Sequence, residues 1–499
     1  MKKKIFGMLI LMESLFLAIT CGVSYYYQHK CGDTDLPAFG ITTILTFVFG
    51  LVLYLMGRRH PDKKFTRKDN FLVVALVWVI YSVFGMLPYL IYGTVDNIHS
   101  AFFEAMSGFT TTGATVLNNI DAQPHGILFW RSLTQWLGGL GIVVFSFALI
   151  PVYELKNTNM FSAEVTGLSV DKLRPKIGDT ARRLLGIYIF ITLLCLLAFW
   201  AGGMSVFDSV CHSMTTIATG GFSTHQDSFS FFNSAYLEYV CIFFMLVSGI
   251  NFSLFYYFSI GRRKIFYKNE ELKWYLSIVA LAVVVFMSLF YSVRYFLPHP
   301  DTVLALLPEG LENTFRTSLF HVSSIITSSG FQATNYDYVA WGTPFWVPTL
   351  LIMVIGSCAG STSGGVKVIR ILVCIKDAIN EFKMQIHPRA VIPVRLSGSV
   401  LPESKVLRAL AFLFLYFILS IIGVTVLTIL GVDIITAFSS SISALSNVGP
   451  GLGTTGPASS FAHVPELGKW LLSFFMLVGR LEIFTVLFLF LPDFWKQKS

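Results

Sequence analysis

Residues Gly108 to Val116 read GFTTTGATV, three threonines and a glycine between long apolar runs with no Lys or Arg nearby. Alone, such a stretch is a polar turn. Three more follow: TTIATGGFSTH from Thr215, SIITSSGFQAT from Ser324 and ALSNVGPGLGT from Ala444. Measured on Gly113, Gly220, Gly330 and Gly449, they recur roughly every 110 residues, which marks an internal repeat. Each is preceded by a semi-apolar segment: NIHSAFFEAMSGF, SVFDSVCHSMTTI, TFRTSLFHVSSII or DIITAFSSSISAL. At about 13 residues, these are too short to cross a bilayer and long enough for a re-entrant half-helix.

The surrounding sequence is that of a polytopic membrane protein. Of 499 residues, 54% are hydrophobic and 13% charged, and the mean hydropathy is +0.68. No single soluble core hides that much apolar surface. Ten runs of spanning length are expected near 5–27, 38–57, 71–93, 126–152, 184–203, 235–260, 274–297, 343–375, 406–431 and 466–491. The first, despite its basic start, has no small-residue cleavage site and reads as a retained helix. Thirty of the 36 Lys and Arg fall in 2–4, 58–68, 156–183, 262–273, 367–408 and 496–498. Those are alternate loops and the two ends, which predicts both termini in the cytoplasm and all four hydroxyl-rich loops on the outer side. The same distribution assigns the net charge of +8 to an anionic lipid leaflet and excludes nucleic acid as the partner. Seven scattered cysteines suggest neither a disulfide framework nor a metal site. No His, Asp, Glu or Cys constellation supports an enzyme.

Non-helical backbone at membrane depth must be buried in protein or face a water-filled path. Four such loops around a pseudo-fourfold axis offer a ring of carbonyl oxygens, which replaces the hydration shell of a monovalent cation. Glycine suits the backbone angles, and the hydroxyls add ligands or brace the loop. The expected ion-binding residues are Thr111, Thr112 and Gly113; Thr219 and Gly220; Ser328, Ser329 and Gly330; and Asn447, Val448 and Gly449.

Two further features lie along the same path. The run from Gly342 to Cys374 would be roughly 50 Å long as one helix, longer than the hydrocarbon core. Its centre, GSCAGSTSGG, puts Gly356, Gly360, Ser361, Thr362, Ser363, Gly364 and Gly365 where a helix unravels. GSTSGGVK superficially resembles a phosphate-binding loop, but Val366 separates Gly365 from Lys367 and Val368 follows, so that reading fails. Arg480, in FFMLVGRLEIFTVL, is a mid-membrane arginine and a functional candidate by default, with the carbonyls of Gly360 to Ser363 or Glu482 as partners. Arg131 is expected to snorkel or to cap a helix contact. Glu104, Asp208, Glu312 and Asp433 lie in or just before the half-helices; Asp208, Glu312 and Asp433, near helix N-termini, read as caps, with concentration of cations at the outer mouth as the alternative.

Together with QWLGGLGI (135–142), GSCAGSTSGGVK (356–367) and GRLEIFTV (479–486), the four loops resemble the membrane subunits of the Trk/Ktr/HKT potassium-transporter superfamily, closest to the TrkH/TrkG branch. The resemblance spans the chain. It implies an all-α fold with two N-terminal helices (1–70) and four helix, pore-loop, helix repeats at 71–155, 156–265, 266–400 and 401–499, the third with a broken second helix. It implies potassium uptake through a central pore, K+ bound in the filter, no organic cofactor, and a gate formed by the Gly/Ser-rich loop with Arg480. It further implies a homodimer in the bacterial inner membrane, in contact with lipid, and a separate cytosolic nucleotide-binding subunit of the TrkA type. Sodium or ammonium passage would use the same architecture. Asn447 and Val448 depart from the Thr or Ser of the other loops, so the side chains of the ring are unequal.

Overall fold

In lipid a chain has to close its own backbone hydrogen bonds, and nearly every element here is a helix. The computed structural model describes residues 2–58, 67–154, 177–296, 307–333 and 341–496. The basic segments 58–68 and 156–183 therefore lie largely outside the described residues.

Two long helices, α1 (Lys2–Cys31) and α2 (Leu36–Arg58), form an antiparallel pair. A β-carbon on Gly7 would overlap the backbone of Tyr54, and one on Gly57 the backbone of Lys4, so the pair touches backbone to backbone. Small residues at the contact let packing alone hold membrane helices together. Four units follow. The first is α3 (Arg67–Gly85), α4 (Leu87–Tyr92), the short α5 (Ile98–Phe109) and α6 (His125–Glu154). The second is α7 (Ile177–Ala201), the short α8 (Val206–Ile217), α9 (Ala235–Ser248) and α10 (Phe252–Ser259). After α11 (Arg263–Lys268) the third has α12 (Glu270–Tyr295), the short α13 (Leu311–Ile326), α14 (Thr343–Ile355) and α15 (Val368–Ile386). A hairpin of β1 (Arg395–Leu396) and β2 (Ser399–Val400), antiparallel with Arg395 opposite Val400, leads to the fourth. That unit is α16 (Glu403–Ile429), the short α17 (Ile434–Ser446), α18 (Glu466–Arg480) and α19 (Ile483–Leu487), before a terminal α20 (Pro492–Lys496).

The short helices are buried at the centre, although they are rich in Ser and Thr. Many of their hydroxyls donate to a carbonyl one turn back, as Thr215 does to Cys211, Ser318 to Thr314 and Ser439 to Ile435. A hydroxyl satisfied within its own helix needs no water.

Among the described residues, six helices are long and apolar enough to cross a membrane, or eight if two bent pairs count as one crossing each. Those pairs correct the sequence reading. The runs 235–260 and 466–491, expected as continuous spans, bend by 87° between α9 and α10 and by 116° between α18 and α19. At the first bend the Asn251 side chain caps α10 by accepting from Ser253 N–H at 2.8 Å. At the second, Glu482 takes a left-handed conformation with φ +61°. Composition hid both breaks, since each occupies only a few residues inside an apolar run.

Candidate functional site

All four short helices end the same way. Thr111, Thr219, Ser328 and Asn447 have φ of +53°, +53°, +54° and +52°. The N–H of the following residue reaches back five positions, Thr112 to Ser107 at 2.9 Å, Gly220 to Thr215 at 2.8 Å, Ser329 to Ser324 at 2.9 Å and Val448 to Ser443 at 3.0 Å. This is the Schellman termination, in which the left-handed position is usually glycine. Here it carries a polar side chain, and three of the four are engaged. Thr219 Oγ1 donates to Thr362 Oγ1 at 3.2 Å, Ser328 Oγ accepts from Gly364 N–H at 2.7 Å, and Asn447 Nδ2 donates to Thr112 Oγ1 and the Met476 carbonyl, both at 2.9 Å.

Two residues beyond each left-handed position stands a positive-φ glycine: Gly113, Gly221, Gly330 and Gly449. The register in the second loop therefore corrects the sequence alignment, which paired Gly220 with the other three. Gly220 matches Thr112, Ser329 and Val448, and the matching glycine is Gly221. The four glycines close a ring. A β-carbon on Gly113 would overlap the carbonyl oxygen of Gly220, one on Gly221 that of Ser329, and one on Gly330 that of Val448. On Gly449 it would lie 2.6 Å from the carbonyl oxygen of Thr112. Each loop thus leans on the next in the order one, two, three, four, one. Gly113, Gly221, Gly330 and Pro450 also line a mouth on the far side from the short-helix C-termini, with His225, Gln226 and Gln332 around its rim. The helix C-termini present their negative ends to the ring, which favours a cation there.

The Gly/Ser-rich loop, 356–367, separates α14 from α15 and packs against the ends of those short helices. Thr362 Oγ1 lies 3.1 Å from the Ile217 carbonyl, and a β-carbon on Gly364 would overlap the Ser446 carbonyl. Of the residues expected there, Gly356, Gly360 and Gly365 have positive φ. Ser361 and Ser363 bond to one another at 2.8 Å, and Ser363 also bonds to Ser357. Arg480, at the last residue of α18 beside the bend, donates to the Thr362 carbonyl and, at 3.0 Å, to the Gly138 carbonyl on α6. Glu482 is engaged elsewhere, with Arg370 at 2.7 Å.

Several residues here escaped the sequence reading. Lys367 is buried and donates to the Ser363 carbonyl, so two basic side chains hold consecutive loop carbonyls. Glu271 on α12 accepts from Ala359 N–H at 2.6 Å. The loop is also stitched to the α9–α10 bend, Cys358 N–H to the Gly249 carbonyl at 3.1 Å and Phe252 N–H to the Gly360 carbonyl at 3.0 Å. Contacts between residues so distant in sequence leave no local pattern to read.

Arg131 does not snorkel but holds a contact with the short helix α5. It is fully buried on α6 and pairs with the buried Glu104 at 2.9 Å, and it reaches the Ser223 carbonyl at 3.1 Å. Glu104 also accepts from Val116 N–H at 2.9 Å. The pair ties the outgoing strands of loops one and two to α5 and α6. The other carboxylates lie nearer helix starts. Asp433 accepts from Thr436 N–H at 3.0 Å and Asp208 forms a reciprocal contact with Ser205, whereas Glu312 pairs with Arg316 at 2.8 Å. At the rim His225 stands 2.9 Å from Asp121 and 3.5 Å from Asp208. Burial draws its imidazole toward the neutral form, but hydrogen bonds and charge from Asp208 and Asp121 outweigh that and hold it above the ordinary histidine range.

Replacing Arg131 with Met keeps the volume and strands Glu104. Breaking a buried pair from one side costs about 3–5 kcal/mol. The expected result is a large fall in the thermal midpoint of the detergent-solubilised protein, relieved by adding Glu104→Gln. An unchanged midpoint in Arg131→Met would show that the pair does not brace the loops.

The sequence as a whole has known relatives. Residues 35–497 match the family model TrkH, described as a cation transport protein. The chain is 37% identical to the Trk system potassium uptake protein TrkH of Salmonella typhimurium, over 99% of both chains. It is 32% identical to the Trk system potassium uptake protein TrkG of Escherichia coli, over 98% of this chain and 97% of that one. Its fold is similar to the crystal structure of the potassium transporter TrkH from Vibrio parahaemolyticus, with a TM-score of 0.86, 35% identity and 99% of each chain covered. These relatives are named as transport proteins rather than enzymes, and this all-α, multi-pass membrane chain belongs to the TrkH family of cation transport proteins.

Proposed function

We propose that the chain takes up potassium through a pore at the centre of its four repeats, with the glycine ring as selectivity filter and the 356–367 loop as gate. The observation that carries this reading is the ring itself, four loops from distant parts of the chain, each glycine against the next loop's carbonyl. A cation entering from the mouth exchanges water for carbonyl oxygens supplied by Thr112, Gly220, Ser329, Val448 and the residues around them, including Thr111, Gly113, Thr219, Gly221, Ser328, Gly330, Asn447 and Gly449. Beyond the ring it meets the loop, whose carbonyls at Thr362 and Ser363 are held by Arg480 and Lys367. The fixed positive charge of Arg480 there opposes the next step of a cation, and withdrawing it with the loop opens the path.

The names of the relatives support potassium as the ion and a system of more than one component. On this reading the domain limits are those given above, and the chain is a homodimer in the bacterial inner membrane with both termini in the cytoplasm. A cytosolic nucleotide-binding subunit of the TrkA type acts on the gate from that side.

Reconstitution into liposomes with imposed ion gradients tests the ion. Potassium and rubidium should pass faster than sodium and lithium; equal rates for sodium, or ammonium in their place, would reassign the cargo. In Gly113→Ser and Gly330→Ser the new β-carbon pushes on a filter carbonyl, and the K+/Na+ permeability ratio should fall. A ratio unchanged in both folded variants would end the filter assignment.

Arg480 tests the gate. In Arg480→Ala the loop loses its tie to α18 and the path loses a positive charge, so potassium flux should rise. Arg480→Lys keeps the charge without the two-armed reach to Thr362 and Gly138, and should fall between. A folded Arg480→Ala protein with wild-type flux would leave the loop without its latch.

A further inference from the structure

The second loop differs from the other three at one position. Where loops one, three and four have Thr112, Ser329 and Val448 before the ring glycine, loop two has Gly220. Its φ lies outside the left-handed region, so the backbone there does not demand glycine. The neighbour does. A β-carbon on Gly220 would overlap Cδ and Oε1 of Gln135, which lies flat against it.

Gln135 is completely buried on α6, one turn from Arg131 and one from Gly138. Its Nε2 donates to the Gly220 carbonyl at 2.7 Å, and its Oε1 accepts from Phe222 N–H at 3.1 Å. The two backbone partners fix the amide's orientation, because a carbonyl only accepts and an N–H only donates. The side chain therefore brackets Gly221. Among the described residues, no donor reaches the matching carbonyls of Thr112, Ser329 or Val448. One carbonyl in four is thus already hydrogen-bonded before any ion arrives.

We propose that Gln135 is a specificity-determining residue of the ring. A carbonyl that accepts an amide proton offers a cation a weaker field, and field strength is one determinant of selection between K+ and Na+. A strong field favours the smaller, more tightly hydrated Na+; the bracket lowers the field at Gly220 and fixes the Gly220 to Phe222 segment at a spacing that suits K+. This inference rests on the ring being the filter.

The test is the bi-ionic K+/Na+ reversal potential of the reconstituted full chain. Gln135→Met fills the same volume without polar atoms, and Gln135→Asn, one methylene shorter, cannot reach both partners at once. In each, the K+/Na+ permeability ratio should fall about fivefold, the worth of one neutral hydrogen bond. A folded Gln135→Met with a wild-type ratio overturns the proposal. If that variant does not assemble, Gln135→Asn decides by the same criterion. A lower protein yield or conductance at an unchanged ratio also overturns it, because a purely structural side chain would produce that result. Gly113→Ser and Gly330→Ser, measured alongside, separate the two failures. If they shift the ratio and the Gln135 variants do not, the ring is the filter and Gln135 only packs against it. If none shifts it, the filter reading itself has failed. A packing control uses Gly220→Ser, which should destabilise the protein alone and recover its thermal midpoint when combined with Gln135→Ala. Recovery of the midpoint without recovery of the ratio is the expected outcome; recovery of both would overturn the proposed role.

Discussion

A β-carbon cannot be placed on Gly113, Gly221, Gly330 or Gly449 without pressing on a carbonyl of the next loop. That steric constraint governs much of the rest. It requires the four loops to meet at the centre of the bundle, where water is scarce, and so requires each preceding helix to end within a few residues in a defined way. The Schellman turns satisfy the helix ends internally. Many of the buried Ser and Thr hydroxyls bond one turn back, as those of Thr215 and Ser439 do, and Arg131 with Glu104 holds the first two outgoing strands. Polar backbone survives at depth because these devices leave little of it unpaired.

The same turns connect the ring to the loop beneath it. Glycine at the left-handed position would relieve strain of about 1 kcal/mol or more. The chain instead keeps Thr219 and Ser328 there, whose hydroxyls touch Thr362 and Gly364. Two residues that shape the ring are therefore also contacts of the loop. Glu271, Lys367 and Arg480 reach it from α12, from its own far end and from α18. A segment with so many glycines has little preference of its own, and its conformation is set by these neighbours.

Much of the architecture was legible in the sequence because it repeats. The four hydroxyl and glycine loops kept one spacing, the short segments before them were of subspanning length, and GSCAGSTSGG announced the break between α14 and α15. The exact partner of each residue was less legible. Two consecutive glycines at 220 and 221 made the second loop ambiguous by one position, and only the left-handed Thr219 resolves it. The bends at Gly249 to Asn251 and at Leu481 to Glu482 sit in apolar runs whose hydropathy does not change. Arg480 stood out as an isolated charge, yet its partner was underdetermined, since Glu482 two residues away looked as available as a distant carbonyl. Gln135 gave little local warning. Its signal is the glycine it requires at 220, 85 residues later.

The ring contacts run head to tail. In such an arrangement each element uses one face for the preceding neighbour and a different face for the next, and closure after four leaves no free edge. Three loops held in the same geometry would leave one glycine and one carbonyl facing nothing. The closing contact is between Gly449 and Thr112, the last loop against the first. For a chain made from its N-terminus, that contact becomes available only after every other repeat exists. The ring is consequently closed in one late event, once the last repeat is in place.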